Sequence, residues 1–365
     1  MKYLFIVQGE GRGHMTQAIA LSQILRANGD EIVSVIVGKS KKRELPGFFS
    51  HDKFFDIHSN GQIHHLESPN FQFDKDHKSV KPLKTVFFAL LRTLAFRESL
   101  RKMRDIVNDS EPDVIINFYD FLGGLYSYAY KYKARFVCLA HQYLTAHPEF
   151  EFPGSKVLGQ RSMKLANKIT AYGADKILAL SFRDMSDLPD ENIIIVPPLL
   201  RSEVKSVSPS KGSSILIYMV NPGYGVEVEN FHQKYPDIPL DCFWDKKDEP
   251  EEKRVDSTLT FHRLNDKKFI EKMAECRGYI TTAGFESVCE AMYLGKPVMM
   301  IPVKGHFEQA CNAIDGVKSG AGIQNDEFNI KKLVDYLPDH TDIAPRFRPW
   351  ADRNVDLFLE HLTET

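Results

Sequence analysis

The chain has 365 residues, with 47 Lys and Arg against 49 Asp and Glu, a formal net charge of -2 and 43% hydrophobic residues. That length suggests about two domains, and the composition argues against a disordered chain, an integral membrane protein and a globally basic nucleic-acid binder, which needs cations to replace counterions. The five cysteines (Cys138, Cys242, Cys276, Cys289, Cys311) contain no C-x-x-C pair, so neither a disulfide framework nor a cysteine-built zinc site is expected. The apolar opening from Met1 to Gln8 runs into a polar loop and reads as a strand, not a signal peptide. No run approaches the roughly 20 apolar residues of a membrane helix, and a reduced, cytoplasmic chain is expected.

Short apolar runs alternate with helical patterns along the chain. Tyr3 to Gln8 is strand-like, and Thr16 to Ala27 repeats apolar residues at helical spacing. The β-branched run Glu31 to Val37 follows, then Asp113 to Phe118, Ala134 to Leu139, Lys176 to Leu180 and Ile193 to Val196. Apolar strands separated by helices suit a parallel sheet covered on both faces, which is the βαβ signature of a doubly wound α/β fold. The pattern breaks in a Ser/Pro/Gly-rich link between about Pro197 and Ser214 and resumes with strands at Ser214 to Val220, Leu259 to Phe261, Gly278 to Thr281 and Pro297 to Pro302. The expected domains are therefore 1–200 and 201–347, with a last amphipathic helix in 348–365.

The first strand leads into Gly9-Glu-Gly11-Arg12-Gly13-His14. A dinucleotide fingerprint needs glycine where His14 stands and an acid after the second strand, where Val37-Gly38-Lys39 stands, so a dehydrogenase is not indicated. His14 sits at a carboxyl-end loop of a parallel sheet, where ligands bind in open α/β folds. It is either a hydrogen-bonded helix-start histidine or a general base. Asp120, just past Asp113 to Phe118, lies at the same edge and can either orient an imidazole or cap the helix that follows it.

The most informative stretch runs Thr281-Thr282-Ala-Gly284-Phe285-Glu286-Ser287-Val-Cys-Glu290-Ala, then Gly295-Lys-Pro297, then Glu308-Gln309-Ala-Cys-Asn312-Ala. It reads as strand, turn, helix, turn, strand, loop, helix. Thr281, Thr282 and Gly284 leave a helix start with open donors near Phe285 to Ser287, a natural diphosphate site. Glu290 lies one helical turn beyond Glu286 and can accept two ribose hydroxyls. Glu308 and Gln309 face back from the following loop.

This stretch resembles the donor-binding signature of nucleotide-sugar glycosyltransferases of the glycosyltransferase-B fold, in the branch of the peptidoglycan N-acetylglucosaminyltransferase and the UDP-glycosyltransferases. The Gly-rich loop ending in His14 is similar to that branch's opening loop. The resemblance implies two Rossmann-like doubly wound domains facing a cleft, acceptor side first, with the last helix crossing back to the first domain. It implies an inverting, single-displacement hexosyltransferase with a UDP-linked donor, no metal and no cofactor beyond that substrate. Gly284, Phe285, Glu286 and Ser287 are then expected to hold the diphosphate, Glu290 the ribose, Glu308 and Gln309 the sugar hydroxyls, and the main chain at His262 the base. Asn221-Pro-Gly223 matches the family's phosphate-side loop in position but not in residue type. That departure keeps a second reading open, a nucleotide-sugar-binding subunit inactive alone. A sugar-nucleotide epimerase needs a carboxylate- and Arg-rich set that is not found. His14 is implied as the general base or an acceptor-phosphate contact, with Asp120 as partner.

On the acceptor side, Gly11, Arg12, Gly13, His141 and Gln142 stand at strand-end loops. The segment Lys75 to Arg104 holds nine Lys and Arg against Asp76 and Glu98. There Leu83, Phe87, Leu90 and Leu94 are expected to form the core stripe, with Phe88, Arg92 and Phe96 on another face. That second face suits either a solvated rim or contact with anionic lipid headgroups or a phosphate-linked acceptor. The acceptor is expected to be a glycan, lipid or small molecule, of the cell envelope in one reading, and the chain to touch the inner face of the membrane peripherally. Asp74-Lys-Asp76 reads as a solvated charge run. His58, His64 and His65 match no zinc spacing, so no metal ligand is assigned.

Overall fold

The computed structural model describes residues 1–40, 44–56, 61–69, 93–154, 157–219, 222–246 and 248–363. Its contacts divide into two units, one of Met1–Phe150, Gly154–Leu199 and Asp352–Thr365, the other of Glu151–Pro153 and Leu200–Ala351. The architecture is mixed α/β, with one largely parallel sheet in each unit.

The first sheet contains β1 (Lys2–Gln8), β2 (Glu31–Lys39), β3 (Gln62–Glu67), β4 (Val114–Phe118), β5 (Arg135–Ala140), β6 (Lys176–Leu180) and β7 (Ile193–Val196) in the order β3-β2-β1-β4-β5-β6-β7. All of these pairings are parallel. Tyr3 to Val7 are fully buried, because β1 is central and helices cover both faces, which is why it reads as an unbroken apolar run. Phe5 stands level with Val35 on one side and Ile116 on the other. The helix Asn354–Thr363 packs in this unit, where Arg135 and Lys176 donate to the His361 carbonyl at 2.9 and 3.2 Å. Two cations thus meet the negative end of its dipole.

The second sheet contains β8 (Ile215–Met219), β9 (Leu240–Trp244), β10 (Glu252–Arg254), β11 (Leu259–Arg263), β12 (Gly278–Thr281), β13 (Val298–Met300) and β14 (Gly322–Gln324), in the order β10-β11-β9-β8-β12-β13-β14. Only β10 runs antiparallel to its neighbour. Ile215 and Ile217, Leu240, Cys242 and Trp244, and Leu259 and Phe261 alternate along their strands and join Ile330 and Leu333 in one core, the period of two that puts one face inward.

Several expectations need correction. Leu94 is 79% exposed, and the helix Thr93–Ser110 instead buries Ser99, Met103 and Val107, four residues apart. Leu94 lies about 140° around the helix from that stripe. Phe96 is half-buried, while Phe88 and Arg92, with Leu83, Phe87, Leu90, His58 and Asp74 to Asp76, lie outside the described residues. Four strands carried no signal in sequence. The edge strands β3, β10 and β14 are polar or three residues long, and β9 carries Asp241 as its second residue. No helix among the described residues is long and apolar enough to cross a membrane, and no three His, Cys, Asp or Glu residues among them group as metal ligands.

The helices Phe121–Ala129 and Val157–Thr170 touch at Gly124, where an added Cβ would lie 1.7 Å from the Ile169 carbonyl oxygen. Gly124→Ala should therefore destabilise the protein by at least about 2 kcal/mol, seen as a lowered urea midpoint with little change in slope.

Candidate functional site

In each sheet the chain reverses its direction of strand addition once. In the first unit β2 and β3 lie on one side of β1, while β4 to β7 lie on the other. In the second, β9 and β11 lie on one side of β8, while β12 to β14 lie on the other. At such a switch point the two loops leaving the carboxyl edge part, and a crevice is left for a ligand. The first crevice lies between the loops after β1 and β4, and the second between those after β8 and β12.

In the first unit, β1 leads through Gly9 to Gly11 into the helix Arg12–Ala27, whose first turn carries His14. The His14 ring is buried and lies 5.7 Å from the Tyr119 ring at 20°, a stacked pair. Its Nδ1 meets Gln17 Oε1 at 3.1 Å, and its Nε2 lies 3.4 Å from Gln142 Nε2. Gln142 comes from the turn His141–Ala146 after β5. Tyr119 has φ +59°, a strained conformation for a bulky residue, and its hydroxyl donates to Asn167 Oδ1 at 2.6 Å. Arg12 places its guanidinium 4.7 Å over the Phe48 ring, and Gly11 and Gly13 are half-buried. His141 is buried, with Nδ1 2.7 Å from the Leu180 carbonyl oxygen.

The structure does not pair Asp120 with His14. Asp120 is fully buried and caps the helix Phe121–Ala129, its Oδ1 accepting from the Leu122 N–H at 2.8 Å and the Ser68 hydroxyl at 2.7 Å. A Cβ on Gly38 would lie 2.0 Å from Asp120 Oδ2, so the glycine after Val37 makes room for this carboxyl. Burial pushes the carboxyl up to about 7, against the two hydrogen bonds to its charged form, and the charge of Glu10 adds to the rise.

In the second unit, β12 passes through Thr282 and Ala283 into the helix Phe285–Tyr293, which starts at Gly284 without a side-chain cap. Ala283 has φ +61°, and Asn312 fixes that turn by donating to the Ala283 carbonyl at 3.0 Å. The Ser287 hydroxyl donates to the Gly284 carbonyl at 3.2 Å, and Phe285 is buried. A small pocket lies at this switch point, lined by Tyr218 and Tyr224 and by Ile280, Thr281 and Thr282. Phe328, 5.3 Å from the Tyr224 ring and stacked on it, completes the wall. Gly223 is exposed in the turn before Tyr224, while Asn221 lies outside the described residues.

Glu290 is 2% exposed, and Arg201 holds both its oxygens, from Nε at 2.7 Å and Nη2 at 2.8 Å. Glu286 and Ser287 are half-buried on the preceding turn. Glu308 and Gln309 open the helix Phe307–Lys318, and Gln309 Oε1 accepts from the Val303 N–H at 2.8 Å. His262 is corrected. Its main chain lies in the ladder between β9 and β10, and its ring is buried against Asp241, 2.8 Å away, and Phe243. The unforeseen strand β10 covers the position expected to be open to a base. Lys296, in the Gly-Lys-Pro turn, donates to the carbonyls of Ser210 and Cys276 and so ties the linker to the sheet.

Sequence reasoning missed Gln17, Tyr119, Tyr224, Phe328 and Arg201. Gln17 carried a signal, since three residues after His14 on a helix means the same face. Arg201 carried none, because nothing in a Pro-rich linker announces a partner 89 residues on.

Between about pH 4 and 7 the unfolded Asp120 carboxyl has lost its proton while the folded one keeps it, so folded chains bind more protons and this group's contribution to stability falls as pH rises. Asp120→Asn keeps the acceptor for Leu122 and Ser68 without the charge. Relative to the parent, the variant should gain up to about 1.4 kcal/mol per pH unit across that window and nothing above it, as read by urea unfolding at pH 5, 6, 7 and 8.

The sequence matches glycosyl transferase family 1 over residues 1–339. No curated protein matches it. Among solved structures, Phytolacca americana UGT2 complexed with UDP-2-fluoro-glucose and pterostilbene aligns with TM-score 0.63 and 14% identity over 99% of each chain. LpCGTa in complex with UDP aligns with TM-score 0.62 and 15% identity over 100% of this chain and 99% of that one. Acinetobacter baumannii MurG aligns with TM-score 0.56 and 15% identity over 99% and 100%. At such identities the likeness carries the fold, which is that of the glycosyltransferase-B enzymes. The chain belongs to glycosyl transferase family 1 and is a glycosyltransferase.

Proposed function

We propose that this glycosyltransferase moves a sugar from a UDP-linked donor to a hydroxyl acceptor with inversion. The observation that carries the reading is that the motif Thr282 to Glu290 lies at the switch point of the second sheet, beside a small aromatic-walled pocket. The helix start at Gly284 to Ser287 takes the diphosphate, where peptide dipoles stabilise the charge that grows on the leaving group without a metal. Glu290, fixed by Arg201, accepts from the ribose, and Glu308 and Gln309 serve the sugar hydroxyls. In the first unit His14 acts as general base, taking the acceptor's proton as its oxygen bonds to the anomeric carbon and the bond to the diphosphate breaks. Support comes from the fold and from neighbours solved with UDP and a UDP-sugar.

The acceptor is a glycan, a lipid or a small molecule, and peripheral contact with an anionic membrane belongs to the same proposal. The helix Thr93–Ser110 exposes Arg97 and Arg101, with Lys102 and Arg104 paired to Glu98 and Asp105, and the helix Val157–Thr170 exposes Leu158 and Leu165 beside Arg161, Lys164 and Lys168. The cations and interleaved apolar side chains of the second helix suit anionic headgroups.

With a panel of nucleotide-sugars and candidate acceptors, nucleoside diphosphate should be released from a UDP-sugar. His14→Ala should lower kcat by about 100-fold or more, and Glu290→Ala should raise the donor KM. Turnover untouched by both substitutions would remove the site assignment. Sedimentation with phosphatidylcholine vesicles should stay at background, and added phosphatidylglycerol should pull the protein down in a salt-sensitive way. Equal background in both would remove the membrane contact.

A further inference from the structure

The inference concerns what holds His14, and it rests on the reading of that residue as the base. A histidine base needs one ring nitrogen fixed as N–H so that the other presents its lone pair. Asp120, expected in the fixing role, is occupied as a helix cap with Ser68 and Leu122. Two amides stand where that carboxylate was expected. Gln17 Oε1 is an acceptor 3.1 Å from Nδ1, which puts the ring proton on Nδ1. Gln142 Nε2 is a donor 3.4 Å from Nε2, which calls for a lone pair there. The two contacts come from different elements, the Arg12–Ala27 helix and the turn after β5, and they select the same tautomer. Both amides are buried, Gln17 at 1% and Gln142 at 4% exposure, and the stacked Tyr119 ring closes one face of the imidazole.

A second observation concerns the proton's arrival. Gln142 Oε1 is buried and has no hydrogen-bond partner among the described residues, an arrangement that costs free energy in the resting state. A half-turn of the amide brings this oxygen to Nε2 and gives an Nε2–H the acceptor it lacks.

We infer that Gln17 and Gln142 are the positioning residues of His14: Gln17 fixes the Nδ1–H tautomer, and Gln142 covers the basic Nε2 until an acceptor hydroxyl displaces it, then turns its oxygen to the proton His14 has taken. The step balances. The acceptor oxygen loses its proton to Nε2 and bonds to the anomeric carbon, and the electron pair of the broken bond leaves with the diphosphate. A neutral amide beside Nδ1 lends the imidazolium less stabilisation than a carboxylate, so the pH dependence of the reaction reports the difference.

The test combines the ring tautomer with kinetics. In the intact wild-type protein, 15N shifts of the His14 ring should show Nδ1–H with Nε2 unprotonated. Gln17→Leu should abolish that preference and lower kcat by about 10- to 100-fold, with the donor KM within about twofold. Gln17→Glu should restore kcat and move the acid limb of the kcat/KM profile upward by about one pH unit. An Nε2–H ring in the wild type overturns the inference, as does unchanged kcat in Gln17→Leu or an unmoved profile in Gln17→Glu. The wild-type spectrum needs no variant, so a Gln17→Leu chain that fails to fold leaves the inference falsifiable. If His14→Ala keeps full turnover while the wild-type ring is Nδ1–H, the tautomer assignment stands and the reading of His14 as base falls.

Discussion

Parallel pairing is the constraint on which both candidate sites depend. Every strand of the first sheet, and all but β10 in the second, ends on one edge. Each loop leaving that edge has its neighbour fixed by register, not by its own sequence. The reversal of strand addition beside β1, and again beside β8, then separates two loops that would otherwise crowd together. His14 and Tyr119 meet in this way from β1 and β4, 105 positions apart (119 minus 14). Thr282 and Tyr224 line one pocket from β12 and β8. The apolar strands do more than supply a core, since they hold the frame in which a few polar groups acquire a geometry.

Both loops store backbone strain at the same topological place. Tyr119 and Ala283 each take a left-handed conformation at the carboxyl edge, at a cost of the order of 1 kcal/mol or more. In each case a buried side-chain amide lies close by. Asn117 accepts from the Asp120 N–H and donates to its carbonyl, while Asn312 holds the Ala283 carbonyl. A turn fixed from behind can direct peptide groups or an aromatic ring forward without relaxing.

The fold class was legible because buried parallel strands leave continuous apolar runs, and the ten strands that carried such runs are present. The strands that were not legible are those whose neighbours supply what their own residues lack. The charged β10 pairs through its main chain, and β9 hides Asp241 against His262 and Lys272. Within the sites, the Gly284 helix start was readable from its residue types. The fate of each polar side chain was not. Asp120, His262 and His141 all look chemically poised in sequence, yet each has one polar atom engaged by a residue distant along the chain. Local patterns say which groups could act, and long-range hydrogen bonds decide which are already engaged.

On the proposed reading of Glu290 as the ribose contact, the bidentate grip of Arg201 bears on how finely a donor can be read. A carboxylate standing alone would gain much from each sugar hydroxyl it meets, because it would otherwise be buried with its charge unanswered. One already held on both oxygens gains only the net worth of an added hydrogen bond, on the order of 1 kcal/mol. A ribose and a 2′-deoxyribose would then differ by roughly a factor of five in affinity at this position.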